Sequence, residues 1–65
     1  MQVLINQISY ELGDSASLAD ALEACKAKPP FAAAVNLQFV PKAQYASTAL
    51  NQGDKIEVIA PVTGG

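Results

Sequence analysis

The sequence predicts an α+β domain, with one main helix packed on one face of a mixed sheet of four or five short strands. Three observations carry this expectation. Only residues 17–28 show a good run of helical apolar spacing. The segments around them are short and extended in character, several with alternating apolar and polar residues. The chain has 65 residues, enough for one domain and no more. A single helix must then lay its apolar stripe over a sheet, because no other layer exists.

The elements follow in order. In "VLINQISYEL", Val3 and Ile5 alternate with Gln2 and Leu4, and after a break at Asn6-Gln7 the residues Ile8, Tyr10 and Leu12 share one parity. This reads as two strands joined by a tight reversal, although Asn-Gln is a weaker hairpin signal than Asn-Gly. "GDS" ends the second strand. In "SLADALEACKAK", Ser17 is the candidate N-cap and Asp20 completes a shortened capping box. Asp20 also suits the positive end of the helix dipole, and Lys26 and Lys28 are expected near the other end. Leu18, Ala21, Leu22 and Cys25 form the apolar stripe, and Pro29-Pro30 is expected to stop the helix.

"FAAAVN" fits a short strand better than a helix, given the preceding prolines and the β-branched Val35. "LQFVP" is a further extended piece, "KAQYASTAL" has room for a helical turn, and "NQGD" is a strong turn. "KIEVIA" is the last strand, with Ile56 and Val58 on one face and Glu57 and Ile59 on the other. The order is ββαβ(β)β, with the last strand expected centrally, beside the first. That is the plan of a β-grasp domain. Its expected limits are residues 1–61, with residues 62–65 as a flexible tail.

Composition narrows the function classes. A chain this short buries only roughly 60% of its unfolded surface, which leaves little room for a deep pocket. Four lysines, no arginine and six acids give a net charge of −2. Nucleic-acid binding needs a clustered basic face, and Lys26, Lys28, Lys42 and Lys55 are scattered. Cys25 is the only cysteine, so no internal disulfide forms, and a reducing, cytoplasmic setting is expected. "MQVLINQ" lacks the basic and apolar segments of a signal peptide. No apolar run approaches the ~20 residues of a membrane span.

Catalytic groups are scarce. There is no histidine, which removes imidazole-based general-base and triad chemistry and, with one cysteine, the usual zinc sites. Asp14, Asp20, Glu23, Asp54 and Glu57 fall on separate elements and read as caps or solvated positions. No glycine-rich loop has phosphate-binding spacing. Cys25 sits on the helix stripe and reads as an inert core thiol rather than a reactive one. Tyr45 reads as a contact residue or, equally or better, as an anchoring aromatic after Pro41. The chain is not expected to be an enzyme, and no bound cofactor or metal is expected.

Residues 34–65, "AVNLQFVPKAQYASTALNQGDKIEVIAPVTGG", carry a family resemblance. Val35-Asn36, Val40-Pro41-Lys42, Tyr45, Leu50, the run Gly53 to Glu57 and the closing Gly64-Gly65 resemble, in that order, the ThiS family of sulfur carriers of thiamine biosynthesis. The "MQVLIN" opening, helix position and length extend the likeness to the whole chain. Lys42, Tyr45 and Leu37 stand where the family often has Arg, Trp and Gly, differences that touch turn geometry and packing rather than the tail.

The resemblance implies a ubiquitin-like fold and a protein cosubstrate. An E1-like, ThiF-type enzyme would use ATP to adenylate the carboxylate of Gly65. A sulfur donor, such as a cysteine desulfurase system, would turn the adenylate into a thiocarboxylate. A ThiG-type thiazole synthase would take the sulfur. Two glycines suit this role physically, because backbone without Cβ atoms can pass a narrow channel. Five extended residues, Pro61 to Gly65, reach on the order of ~17 Å.

Strand alternation places Leu4, Ala34 and Ile59 on the face away from the helix, as an apolar patch near the tail resembling ubiquitin's interaction face. Val62, Thr63 and Gly64 are the tail residues expected to contact a partner, Val62 foremost. Rival assignments are the small subunit of molybdopterin synthase or another sulfur carrier. Outside that class stand a ubiquitin-like modifier forming isopeptide bonds through Gly65, and a plain β-grasp binding module.

Overall fold

The computed structural model describes residues 1–60. The expected domain limit at residue 61 and the tail, residues 62–65, lie outside the described residues. Five strands are present: β1 (Gln2–Ile5), β2 (Ile8–Glu11), β3 (Ala32–Val35), β4 (Gln38–Val40) and β5 (Lys55–Ile59). Helix α1 spans Leu18–Ala24, and a short 3-10 turn covers Lys42–Gln44. The sheet order is β2-β1-β5-β3-β4. β5 is central and parallel to β1, and the other pairs are antiparallel. The mixed sheet with one helix is the expected β-grasp arrangement.

The alternation read from the sequence sets the facing. Val3, Ile5 and Ile56 are buried with Leu18, Ala21 and Leu22 of the helix, and Ala33, Val40 and Leu50 complete the core. Val35 and Val58 are half-buried against that core, while Glu57 and Ile59 are exposed. On β3, Ala33 rather than Val35 is the fully buried position.

The helix start accounts for its free backbone donors. The Ser17 amide donates to Asp20 Oδ2 at 2.8 Å, and the Asp20 amide donates to Ser17 Oγ at 3.4 Å, closing the capping box. The next donors go to the loop after the 3-10 turn: the Leu18 amide to the Thr48 carbonyl at 2.8 Å and the Ala19 amide to the Tyr45 carbonyl at 3.0 Å. Tyr45 also stacks on Phe31 with centroids 5.9 Å apart, which bears out its anchoring role.

The helix ends earlier than expected, and Pro29-Pro30 does not end it. Lys26 takes a positive φ of 58°. Its amide donates to the Glu23 carbonyl at 3.0 Å, and the Ala27 amide donates to the Leu22 carbonyl at 3.0 Å. This is a Schellman motif with lysine in the position that glycine usually takes. Lys26 and Lys28 therefore follow the helix rather than occupying its last turn. Cys25 is half-buried at the C-cap rather than enclosed in the core.

Both hairpins use the same turn. Asn6-Gln7 (φ 50° and 69°) joins β1 to β2, and Asn36-Leu37 (φ 51° and 70°) joins β3 to β4. Two successive positive φ values define the type I′ turn, whose second position favours glycine. A non-glycine residue there costs about 1–2 kcal/mol. Leu37 is 85% exposed, so its side chain gives no packing in return. Leu37→Gly is therefore expected to stabilise the domain by about 0.5–1 kcal/mol after the entropy cost of glycine. A thermal melt checks this, and a lowered Tm would contradict it.

Candidate functional site

β5 ends at Ile59, and Ala60 is the last described residue. The surface around this strand end is the candidate site, because the sheet delivers the chain there. On the face away from the helix, Ile59 pairs with Ala32, Glu57 pairs with Ala34, and Ala34 pairs with Phe39. Directly paired residues share a face of the sheet. Ala32, Ala34, Phe39 and Ile59 thus form an apolar area bordered by the exposed Glu57, with Phe39 69% and Ile59 57% exposed.

The structure brings together two of the three expected patch residues, Ala34 and Ile59. Leu4 shares their face but stands opposite Lys55, four residues back from Ile59 along β5. At the strand rise this separates it from Ile59 by about 13 Å. Leu4 instead borders a shallow depression with Asn6, Gln7, Lys55 and Glu57. The missed member is Phe39. Its signal was present: a two-residue turn at Asn36-Leu37 pairs Ala34 with Phe39 by counting. Without a glycine in that turn, the hairpin has no clear mark in the sequence.

The helix side of the same strand end is also apolar. An open groove there is bordered largely by apolar residues, Ile5, Ile8, Tyr10 and Val58 among them, with Asn6 and Lys28 also lining it. Ile8 is 59% exposed although its parity matches that of the core-facing residues. Ala60 therefore leaves the sheet between two apolar surfaces.

A side chain holds the strand end in place. The Asn6 amide donates from Nδ2 to the Val58 carbonyl at 3.2 Å, and its Oδ1 accepts from the Val58 amide at 2.8 Å. Among the described residues, no group of three or more His, Cys, Asp or Glu side chains is placed to hold a metal ion, and no helix is long and apolar enough to cross a membrane. Asp20 and Asp54 serve local structure: Asp20 caps the helix, and Asp54 Oδ2 accepts from the Asn51 amide at 2.7 Å in the turn before β5. Val62, Thr63, Gly64 and Gly65 lie outside the described residues.

Fold and site together define a ubiquitin-like β-grasp domain whose most distinctive surface surrounds the end of its central strand. A family model described as the ThiS family matches residues 3–65, and the chain belongs to that family. The fold is shared with solved structures from Geobacter metallireducens. The crystal structure of a thiamine biosynthesis protein (ThiS) superposes with a TM-score of 0.81 at 19% identity, covering 100% of both chains. The solution structure of a thiamine biosynthesis protein gives a TM-score of 0.80 at 22% identity, over 100% of this chain and 88% of the other. At these identities the likeness concerns the fold. A thiazole synthase of Paramagnetospirillum magneticum is 53% identical over 30 residues, which is 46% of this chain and 9% of that protein.

Proposed function

We propose that the chain is a sulfur carrier of thiamine biosynthesis and that the carboxylate of Gly65 is its reactive group. The observation that carries this reading is the ThiS family match, whose span of residues 3–65 takes in Gly64 and Gly65. In this role the protein is a cosubstrate and not a catalyst. It holds no cofactor of its own, since the adenylating partner binds ATP.

The chemistry needs little from the carrier's side chains. A carboxylate is a poor electrophile. An oxygen of the Gly65 carboxylate attacks the α-phosphorus of ATP in an E1-like, ThiF-type enzyme, and pyrophosphate leaves. The persulfide of a donor such as a cysteine desulfurase system then displaces AMP to give an acyl disulfide, and a second thiol attacks its S–S bond, releasing the thiocarboxylate and leaving the donor as a disulfide. The net change at Gly65 is one oxygen replaced by one sulfur. A ThiG-type thiazole synthase takes that sulfur, a partner supported by the 30-residue likeness to such a protein. Val62, Thr63 and Gly64 contact the partner along the path to the nucleotide, and the apolar area around Ile59 and Phe39 gives it a place to grip. These partners are soluble enzymes, and the setting is cytoplasmic.

Intact mass tests this reading. The protein is incubated with ATP, a sulfur donor and the E1-like enzyme of its host. A mass gain matching one oxygen-for-sulfur exchange is expected. High-mass adducts on target lysines would instead show a modifier. For the pathway, a strain lacking the gene is expected to grow when thiamine is supplied. Loss of molybdenum-cofactor function that thiamine does not restore would overturn the assignment.

A further inference from the structure

We propose that Asn6 is a positioning residue for the tail: its side chain fixes Val58 and so sets the direction in which the chain leaves β5. The inference rests on the sulfur-carrier reading for its functional consequence and on geometry for the rest. β1 pairs with β5 through Leu4 and Ile5, and the Asn6 amide continues the ladder by donating to the Ile56 carbonyl at 2.9 Å. The main chain then turns away at the positive φ of Asn6 and runs back as β2. A regular parallel ladder would next use the main chain of β1 to pair both the amide and the carbonyl of Val58. The turn removes that main chain. The Asn6 side chain takes its place, with Oδ1 standing for the missing carbonyl and Nδ2 for the missing amide.

The other side of β5 lacks any such substitution near its end. There β3 pairs by main chain as far as Ala32 with Ile59. The last residues of β5 thus have a backbone partner on one flank and a side-chain partner on the other. Loss of the Asn6 side chain leaves the Val58 amide and carbonyl without a protein partner, because both face β1, and the strand end is then held only from β3 through the pair of Ala32 with Ile59 and is freer to fray. A frayed end enlarges the set of positions that the terminal carboxylate samples.

The fold contains its own control. Asn36 occupies the equivalent place in the other hairpin, with φ 51° against 50° for Asn6. Its Oδ1 accepts from the Lys55 amide at 3.0 Å, and its Nδ2 donates to Asp54 Oδ1 at 3.0 Å. It clips the start of β5 as Asn6 clips the end. Glycine at either position tolerates the positive φ, so Asn6→Gly and Asn36→Gly remove the clip and keep the turn.

Backbone order from NMR relaxation is read at Val58, Ile59 and Ala60 in both variants, alongside pyrophosphate release with ATP and the host's E1-like enzyme. In Asn6→Gly the order parameters of Ile59 and Ala60 are expected to fall toward the flexible range, below about 0.6. kcat is expected to fall about five- to tenfold with KM for the carrier unchanged, because ordering a freed residue costs on the order of a kcal/mol. Asn36→Gly is expected to leave the order at Ala60 unchanged and kcat within twofold. Unchanged order in Asn6→Gly, or an equal loss of kcat in Asn36→Gly, overturns the inference. Failure of the wild-type chain to release pyrophosphate overturns the sulfur-carrier reading instead, and the order parameters still decide the role of Asn6.

Discussion

Deletion of Gly65 is expected to abolish the oxygen-for-sulfur exchange while leaving the thermal melt unchanged. The shortened chain still ends in a glycine carboxylate, so the chemical group survives and only its reach is lost. One extended residue spans about 3.3–3.6 Å. Misplacing a reacting atom by ~1 Å is enough to cost on the order of a hundredfold. A full residue therefore places the carboxylate outside attack distance of the α-phosphorus, and a rate loss well above a hundredfold follows. Gly64→Val tests the other half of the argument. It keeps the reach and adds a β-branched side chain where the channel must admit bare backbone, so it is expected to cut the rate by more than about tenfold. Intact mass after timed incubation with ATP, a sulfur donor and the E1-like enzyme measures both. Normal conversion of the Gly65 deletion would show that the Gly64 carboxylate serves equally well and would overturn the reach argument.

What the sequence made legible depended on signals that are local. Val3, Ile5, Ile56 and Val58 alternate cleanly, and the facing of both central strands follows from parity alone. Ser17 and Asp20 stand three apart, and the capping box forms as that spacing implies. Two of the illegible features share one cause, a non-glycine residue at positive φ. Lys26 ends the helix in a conformation that usually announces itself as glycine, and the sequence points to Pro29 as the stop instead. Leu37 hides a type I′ turn in the same way, and with it the pairing that puts Phe39 beside Ala34. In each case hydrogen bonds hold the backbone where propensity does not. Lys26 is held by the two local Schellman bonds, and the Asn36-Leu37 turn is anchored to β5 by the Asn36 main-chain amide, which donates to the Lys55 carbonyl at 2.7 Å. The separation of Leu4 from Ile59 is a different kind of omission. Parity gives the face of the sheet, but only the register of β1 against β5 gives the distance along it.

Ile59→Lys and Phe39→Lys are each expected to weaken binding of the E1-like enzyme by about thirtyfold or more, equivalent to roughly 2 kcal/mol, the scale of a central interface residue. Both side chains already face water, so the fold loses little. The cost to stability is expected to stay within about 1 kcal/mol, the range set by strand propensity. The penalty falls on the complex because a lysine ammonium there must be stripped of water against an apolar partner surface. The neighbouring Ala32 and Ala34 are small, which leaves Phe39 and Ile59 as the large exposed apolar side chains on this part of the sheet. Leu4→Lys is the internal comparison. Four residues back along β5 from Ile59 and on the opposite flank of β5 from Phe39, it falls toward the rim of an interface of ordinary size, and an effect of about threefold or less is expected. Calorimetric titration with the adenylating enzyme, with a urea melt of each variant, separates binding from folding. Unchanged Kd in both Ile59→Lys and Phe39→Lys would exclude this face as the docking surface, and attention would pass to the groove of Ile8, Tyr10 and Cys25 on the other side of the same strand end.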